Sequence, residues 1–238
     1  GVRVANLEKK ADNVKITGEM RLRYWNYDGD VKDNDNTVLR SRIWIKGQIN
    51  EDWSATAMLE NIQNFTHSDA GEEDTKFQRA YVNGRVGGLA VQAGRYQFAD
   101  FNEAMIYDTR MDGVQVAYGK DVKLTAGVGK AADGTGLPKW DSTTNAYVLD
   151  DAHVAEDMYY AQLGAKLGVV DAKVGYYKFT DVAKLGDDDE IWSIGAGLNV
   201  AKDLKLTGTY YMSDYDKDGA DDDGFIVGLK YKGAKAAK

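Results

Sequence analysis

Polar and apolar residues alternate along most of the chain, as they do when successive side chains point to opposite sides of an extended backbone. Residues 15–24 (KITGEMRLRY) alternate without a break, and residues 39–49, 122–128, 170–176 and 225–231 repeat the pattern with few exceptions. A period of two residues indicates β-strands. About twelve such segments follow one another after residue 13, so the sequence predicts an all-β chain.

The alternation separates two faces of different chemistry. One face is apolar and carries Ile16, Met20, Leu22, Ile43, Ile45, Val116, Leu124, Leu163, Val174, Ile194, Leu206, Val227 and Leu229. The other face is polar and largely basic, with Lys15, Glu19, Arg21, Arg23, Arg40, Arg42, Lys46, Gln48, Gln115, Lys123, Gln162, Lys166, Lys173, Lys205 and Lys230. A soluble sandwich turns its apolar face inward, whereas a membrane barrel turns that face to lipid. The pattern alone fits both.

The connections between the strands favour the barrel. Short connections at 50–52, 87–88, 119–121, 168–169 and 201–203 alternate with long ones at 28–37, 64–76, 99–112, 130–157, 180–190 and 212–224. Transmembrane barrels place short turns at one end and long loops at the other, whereas a Greek-key sandwich mixes them. Tyr and Trp also gather near the strand ends, as in interfacial girdles. The sequence predicts a transmembrane up-and-down antiparallel β-barrel.

Composition removes several function classes. Lys and Arg number 30 against 38 Asp and Glu, giving a net charge of −8, which argues against nucleic-acid binding. The chain contains no Cys, so disulfides, thiol nucleophiles and thiolate metal sites are excluded. Only two His occur, His67 and His153, and both fall in expected long loops rather than on a strand that could hold a triad in register. We therefore expect no enzyme activity.

Residues 1–13 carry a different period. Val4, Leu7, Ala11 and Val14 are spaced like the apolar seam of a coiled coil. The segment is expected to be the end of a coiled-coil stalk that joins subunits, with a barrel domain over residues 14–238. An amphipathic helix that packs on its own domain gives the same spacing and remains the alternative.

The junction carries a family resemblance. Residues 4–15 (VANLEKKADNVK), which run into residues 18–24 (GEMRLRY), resemble the stalk-to-barrel junction of the OmpM-type porins of diderm Firmicutes. Elsewhere the resemblance is one of pattern. It implies a homotrimeric porin in the outer membrane, tethered to peptidoglycan by an upstream S-layer-homology domain that is absent from this sequence. The family has about sixteen strands, so we expect the last four to be missing here.

The same resemblance implies a pore constriction. In general-diffusion porins the third long loop folds into the lumen, and here that loop would supply Asp100, Asn102, Glu103, Tyr107, Asp108 and Asp112. A basic wall would face it, formed by Arg21, Arg23, Arg40, Arg42, Arg79 and Arg85. Opposed acidic and basic walls produce a transverse field that orients dipolar solutes. The alternative is that the arginines pair with carboxylates such as Glu19 and Glu60 and only fill the lumen.

One loop carries a partial calcium pattern. Asp214, Asp216 and Asp218 alternate before Gly219, as in the first half of a calcium loop, but the twelfth position is Phe225 instead of Glu. A solvated acidic loop explains the pattern equally well, and no other cofactor is expected.

The function that we expect is passive diffusion of small hydrophilic solutes and ions across the outer membrane. The partners would be outer-membrane lipid, two further copies of the chain and the solutes. The acidic mouth favours cations at low salt and the arginines oppose this, so the sequence leaves the sign of ion selectivity open. A soluble or surface-exposed adhesive β-domain is the alternative function.

Overall fold

The computed structural model describes residues 13–27, 34–66, 71, 73–100, 105–131, 138–141, 143, 146–149, 155–182, 187–214 and 222–232. The chain divides into two compact units, Gly1–Arg85 and Val86–Lys238, called unit 1 and unit 2 below. Each unit is built from antiparallel strands that pair with their neighbours in chain order.

The described part of unit 1 is a four-stranded meander. Its strands are β1 (Val14–Tyr27), β2 (Asn34–Gln48), β3 (Trp53–Asn64) and β4 (Glu73–Val86), of which the last residue falls in unit 2. In β1 and β2 the register pairs Glu19 with Arg42 and Arg21 with Arg40. Between β3 and β4 the register shifts after Met58, which leaves Gln78 as an extra residue in β4.

The described part of unit 2 contains eight long strands and one short hairpin. The long strands are β5 (Leu89–Ala99), β6 (Asp108–Gly119), β7 (Val122–Ala131), β10 (Met158–Leu167), β11 (Val170–Val182), β12 (Asp187–Ala201), β13 (Leu204–Ser213) and β14 (Asp223–Tyr231). The hairpin of β8 (Pro138–Asp141) and β9 (Ala146–Leu149) lies in the connection from β7 to β10. β7 pairs directly with β10 across this connection.

The predicted fold class is confirmed. The described part of the chain is all-β, with twelve long antiparallel strands in up-and-down order and no helix. No helix among the described residues is long and apolar enough to cross a membrane. Of the predicted stalk seam, Val4, Leu7 and Ala11 lie outside the described residues. Val14, the fourth seam position, is the first residue of β1.

Short and long connections alternate in each unit, but several loops are shorter than predicted. β12 already begins at Asp187, within the expected loop 180–190, because backbone pairing of Asp189 with Phe179 does not depend on apolar side chains.

The short turns have local causes. Asn50 Oδ1 accepts hydrogen bonds from the amides of Asp52 and Trp53, at 3.0 and 2.9 Å. Gly119 adopts a φ of 96°, where a side chain would also meet the Val122 carbonyl.

The two strand faces differ in solvent exposure. The apolar face is the more exposed one, whereas in a soluble protein the apolar face is buried. The apolar face is open: Met20 is 77% exposed, Ile194 52% and Val227 68%. The polar face holds nearly all the buried side chains, among them Glu60 at 3% and Gln162 at 5%. The register confirms that the predicted apolar and polar positions fall on opposite faces of the paired strands, as with Leu163 opposite Val174 and Gln162 opposite Gly175.

Candidate functional site

The polar face of unit 1 is organised around a buried carboxylate. Glu60 accepts a hydrogen bond from Arg42 Nε at 2.5 Å and another from the Gln78 amide at 2.6 Å. Gln78 is the extra residue of the β4 bulge, which brings its side chain to Glu60. Arg42 also contacts Glu19 at 3.4 Å, and Arg40 contacts Glu19 at 3.0 Å. These contacts form a continuous ion-pair chain across β1, β2 and β3.

The six arginines predicted as a basic wall share this face by register: Arg21, Arg23, Arg40, Arg42, Arg79 and Arg85. Arg40 and Arg42 make the pairs with Glu19 and Glu60 that were the alternative to a pore wall. The Arg23 guanidinium lies 5.6 Å from the ring centre of Trp25. On this face Arg40 and Arg42 are paired with carboxylates, and all six arginines lie at the polar-face positions that the sequence predicts.

In unit 2 the polar face carries a network of tyrosines and glutamines. The hydroxyls of Tyr96 and Tyr160 are 3.2 Å apart, and Tyr160 donates to Gln115 Oε1 at 2.7 Å. The Gln162 amide donates to the Tyr177 hydroxyl at 3.0 Å. All three tyrosines are at most 3% exposed. Because buried hydroxyls and amides are costly unless hydrogen-bonded, the network holds these rings in fixed positions.

The alternation of residue types does not reveal this network, although glycines that lie opposite or next to a tyrosine on the same face signal it. Gly127 pairs with Tyr160 across β7 and β10, and a side chain at Gly127 would collide with the Tyr160 ring. A side chain at Gly175 would likewise collide with the Tyr177 ring and the Ser193 hydroxyl. The aromatic rings thus lie flat along the sheet over strand positions that have no side chain.

Gly127→Val is expected to destabilise the protein by about 1–3 kcal/mol, because the added side chain displaces the Tyr160 ring and breaks its hydrogen bonds. Gly164→Val is the matched control, since Gly164 lies on the same face of adjacent β10 with nothing within 4 Å of an added Cβ. Unfolding by guanidinium in lipid vesicles, followed by tryptophan fluorescence, measures both. Equal losses in the two variants would contradict the packing described here.

The described ends of the connection from β5 to β6, Asp100 and Tyr107, lie on the polar face of unit 2. Asp100 is 2% exposed, and its Oδ1 accepts the amides of Ile106 and Tyr107 at 2.9 and 3.1 Å. The Tyr107 ring lies 5.9 Å from Phe98 and 6.3 Å from Phe179 between ring centres. Asp100 thus fastens the two ends of the segment to each other, and Tyr107 anchors it among aromatic rings.

The structure places the predicted constriction residues in different surroundings. Asp100 and Tyr107 lie in the connection and are buried, whereas Asn102 and Glu103 lie outside the described residues. Asp108 begins β6 and accepts from Gln97 at 2.7 Å. The expected loop ended at Asp112, but Asp112 is a strand residue.

Asp112 also faces away from the tyrosine network. It pairs with Arg95 on the face of Val114 and Val128, with two contacts at 2.6 and 2.7 Å. The loop prediction failed here because the Asp112–Arg95 ion pair and backbone pairing extend β6 into a sequence that looks like a loop.

A cavity of about 290 Å³ opens beside the network in unit 2. Neutral donors and acceptors line it, from Gln97, Gln115, Thr125 and Gln162. Lys123 supplies a charge and Phe98 an apolar wall. This lining matches small hydrophilic solutes better than apolar ones, because an apolar solute would leave amides without partners.

Ion pairs cluster on the apolar face of unit 2, at the end of the strands that leads into the long loops. Lys178 contacts Asp188 at 3.1 Å and Glu190 at 3.0 Å. Asp188 precedes the exposed apolar stretch of β12 that begins at Trp192. The Asp181 amide, followed by the Lys178 ammonium, lowers the pKa of Asp188 below its usual range. This rim stays charged at neutral pH, as expected for a surface in water next to an apolar band.

Of the three aspartates in the predicted calcium pattern, only Asp214 lies among the described residues. Asp214 Oδ1 accepts the Glu190 amide at 2.7 Å, whereas Asp216 and Asp218 lie outside the described residues, as do His67 and His153. Within the described ranges, no group of three or more His, Asp or Glu is arranged to hold a metal ion.

Comparison with known proteins shows the fold. No family model matches the chain, and no curated protein sequence matches it. Among solved structures, OccK8 (OprE) of Pseudomonas aeruginosa has a TM-score of 0.62 at 14% identity, over 86% of this chain and 55% of that one. The Rh. blastica porin has a TM-score of 0.51 at 16% identity, over 93% and 90%.

A third similar structure is Salmonella typhi OmpF, in a complex with daunomycin, with a TM-score of 0.51 at 12% identity over 84% of this chain. The chain spans 65% of the length of that OmpF and 55% of OccK8. The described strands therefore have a porin-type arrangement. At sequence identities of 12–16% this similarity shows the fold alone.

Proposed function

We propose that this chain forms an outer-membrane channel through which small hydrophilic solutes and ions diffuse passively. The observation that carries the proposal is the inverted exposure of the strand faces, with Met20 and Ile194 open and Glu60 and Gln162 buried. Lipid is the environment in which an exposed apolar strand face is favourable. The porin-type fold supports the same conclusion.

The finer features of the proposal rest on the sequence. We propose an OmpM-type porin that assembles as a homotrimer, partly through a stalk that includes Leu7 and Ala11. An upstream domain would provide the tether to peptidoglycan. The solutes cross without covalent chemistry, and calcium at the acidic loop after β13 is a secondary proposal. The residues after Ala99, with Asp100 and Tyr107 as anchors, would narrow the pore, and Arg21 and Arg23 would belong to its basic wall.

Proteoliposome swelling tests this function. Vesicles that contain the detergent-purified protein should swell in isosmotic arabinose at a rate that rises with the amount of protein, and should swell more slowly in larger sugars. Protein-free vesicles serve as the control. Swelling rates no higher than those of protein-free vesicles would contradict passage through the protein.

An adhesive β-domain is the alternative function. It would bury its apolar face, stay soluble without detergent and leave the vesicles sealed. The large exposed fraction of Met20, Leu22 and Val227 favours the channel over this alternative.

A further inference from the structure

Basic residues concentrate on the polar face of unit 2, although the whole chain has a net charge of −8. The register places five lysines on this face, toward the short turns: Lys123, Lys166, Lys173, Lys205 and Lys230. Among the described residues, the acids on the same face are Asp171, Asp187 and Asp189, together with the buried Asp100 at the end of β5, and of these only Asp171 lies toward the short turns. The acids of this face therefore lie mainly at its long-loop end, whereas the lysines lie at its short-turn end.

Asp171 and Asp189 already have partners. Lys205 Nζ contacts Asp171 Oδ2 at 2.5 Å, and its side chain crosses β12 over Gly197, where a Cβ would collide with Lys205 Cε. Asp189 accepts the Ser213 hydroxyl at 2.6 Å at the long-loop end of the face. The lysines thus outnumber the acids, and the face is positive toward the short turns.

Lys123 connects this charge to the cavity of unit 2. It lines the cavity together with Gln115, Thr125 and Gln162, which supply amides and a hydroxyl. An ammonium beside neutral hydrogen-bonding groups suits a small anion, whereas a cation would meet the Lys123 charge without a carboxylate among the lining residues. The size of the cavity allows a small organic anion as well as chloride.

The polar face of unit 1, taken by itself, has the same sign. Besides the six arginines it carries Lys15 opposite Lys46, and Lys76, whereas its acids among the described residues are Glu19, Glu60 and Asp74. The two units differ in sequence, yet each of them has a basic polar face.

We propose that the channel prefers small anions, such as chloride and short carboxylates, because the polar strand faces are basic, and that Lys123 is one of the residues that set this preference. The inference rests on the proposed channel function and names its substrate class. Charged walls in a narrow water-filled space concentrate counter-ions. The preference should be strong at 0.1 M salt, where the Debye length is about 10 Å, and weak at 1 M, where it is about 3 Å.

Reversal potentials in a planar bilayer under a KCl gradient test the proposal. The wild-type protein should give a chloride-to-potassium permeability ratio above one at low salt, approaching one as salt rises. Lys123→Gln should lower this ratio about two- to threefold, because one charge acts at short range in water. Lys130→Gln is the matched control: it removes the same charge from the other face of β7, where Lys130 lies 3.7 Å from Asp157, and should leave the ratio unchanged.

The possible failures are distinguishable. Stable channels with a ratio below one at low salt would overturn the anion preference and leave the channel function intact. Equal effects of Lys123→Gln and Lys130→Gln would overturn the role assigned to Lys123. Complete absence of channels would overturn the proposed function, and the anion preference with it.

Discussion

Asp100→Ala is expected to convert a steady channel into one with larger and noisier conductance. The substitution removes the buried acceptor of the Ile106 and Tyr107 amides and so unfastens the two ends of the connection from β5 to β6 from each other. Two hydrogen bonds to a charged acceptor contribute about 3 kcal/mol, which corresponds to more than about a hundredfold change in the population of released conformations. Single-channel recording in a planar bilayer measures the change.

Two variants serve as controls for this prediction. Asp100→Asn keeps an oxygen that accepts both amides and should retain a conductance close to that of the wild type. Asp108→Ala removes a nearby carboxylate that is exposed and bonded to Gln97, and should have a small effect. Unchanged conductance in Asp100→Ala, with the protein folded and inserted, would contradict a narrowing role for this segment.

Glu60→Ala is expected to lower the free energy of unfolding by about 3–5 kcal/mol, the usual cost of removing one partner of a buried ion pair. The side chain of Glu60 is 4% exposed and holds both Arg42 and Gln78, so its loss leaves Arg42 Nε and the Gln78 amide without this acceptor, although Arg42 keeps its longer contact with Glu19. Guanidinium titration in lipid vesicles measures the loss.

Glu19→Ala is the control for Glu60. Glu19 contacts the same Arg42 and also Arg40, but its side chain is 53% exposed. Exposed ion pairs contribute about 0–1 kcal/mol, so the loss should be small. A loss in Glu60→Ala no larger than in Glu19→Ala would show that burial of the pair does not stabilise unit 1.

The strand faces could be predicted from the sequence because alternation is a local property. The period of two assigns Arg21, Gln162 and Leu163 to the faces on which the structure places them. The strand ends could not be predicted in the same way, since backbone pairing continues through polar residues when a partner strand is present. β12 therefore begins at Asp187, and Asp112 belongs to β6.

The candidate site was harder to predict, because its contacts join residues far apart in the chain. Tyr96 and Tyr160 are separated by 64 positions, and the alternation that marks both as strand residues says nothing of their hydrogen bond. The pairing of Arg42 with Glu60 was foreseen only as an alternative, because the choice between a paired and a solvated arginine depends on burial. Glycine opposite tyrosine, as at Gly127, is the local signal that could have identified the network.

The most direct test of the central claim is single-channel recording of the detergent-purified protein in a planar bilayer, in KCl at two concentrations. The proposed channel predicts discrete, long-lived conductance steps that grow with KCl concentration and, for the trimer, appear in groups of three. A protein that remains monodisperse without detergent and never inserts into the bilayer would contradict the channel and favour the adhesive β-domain.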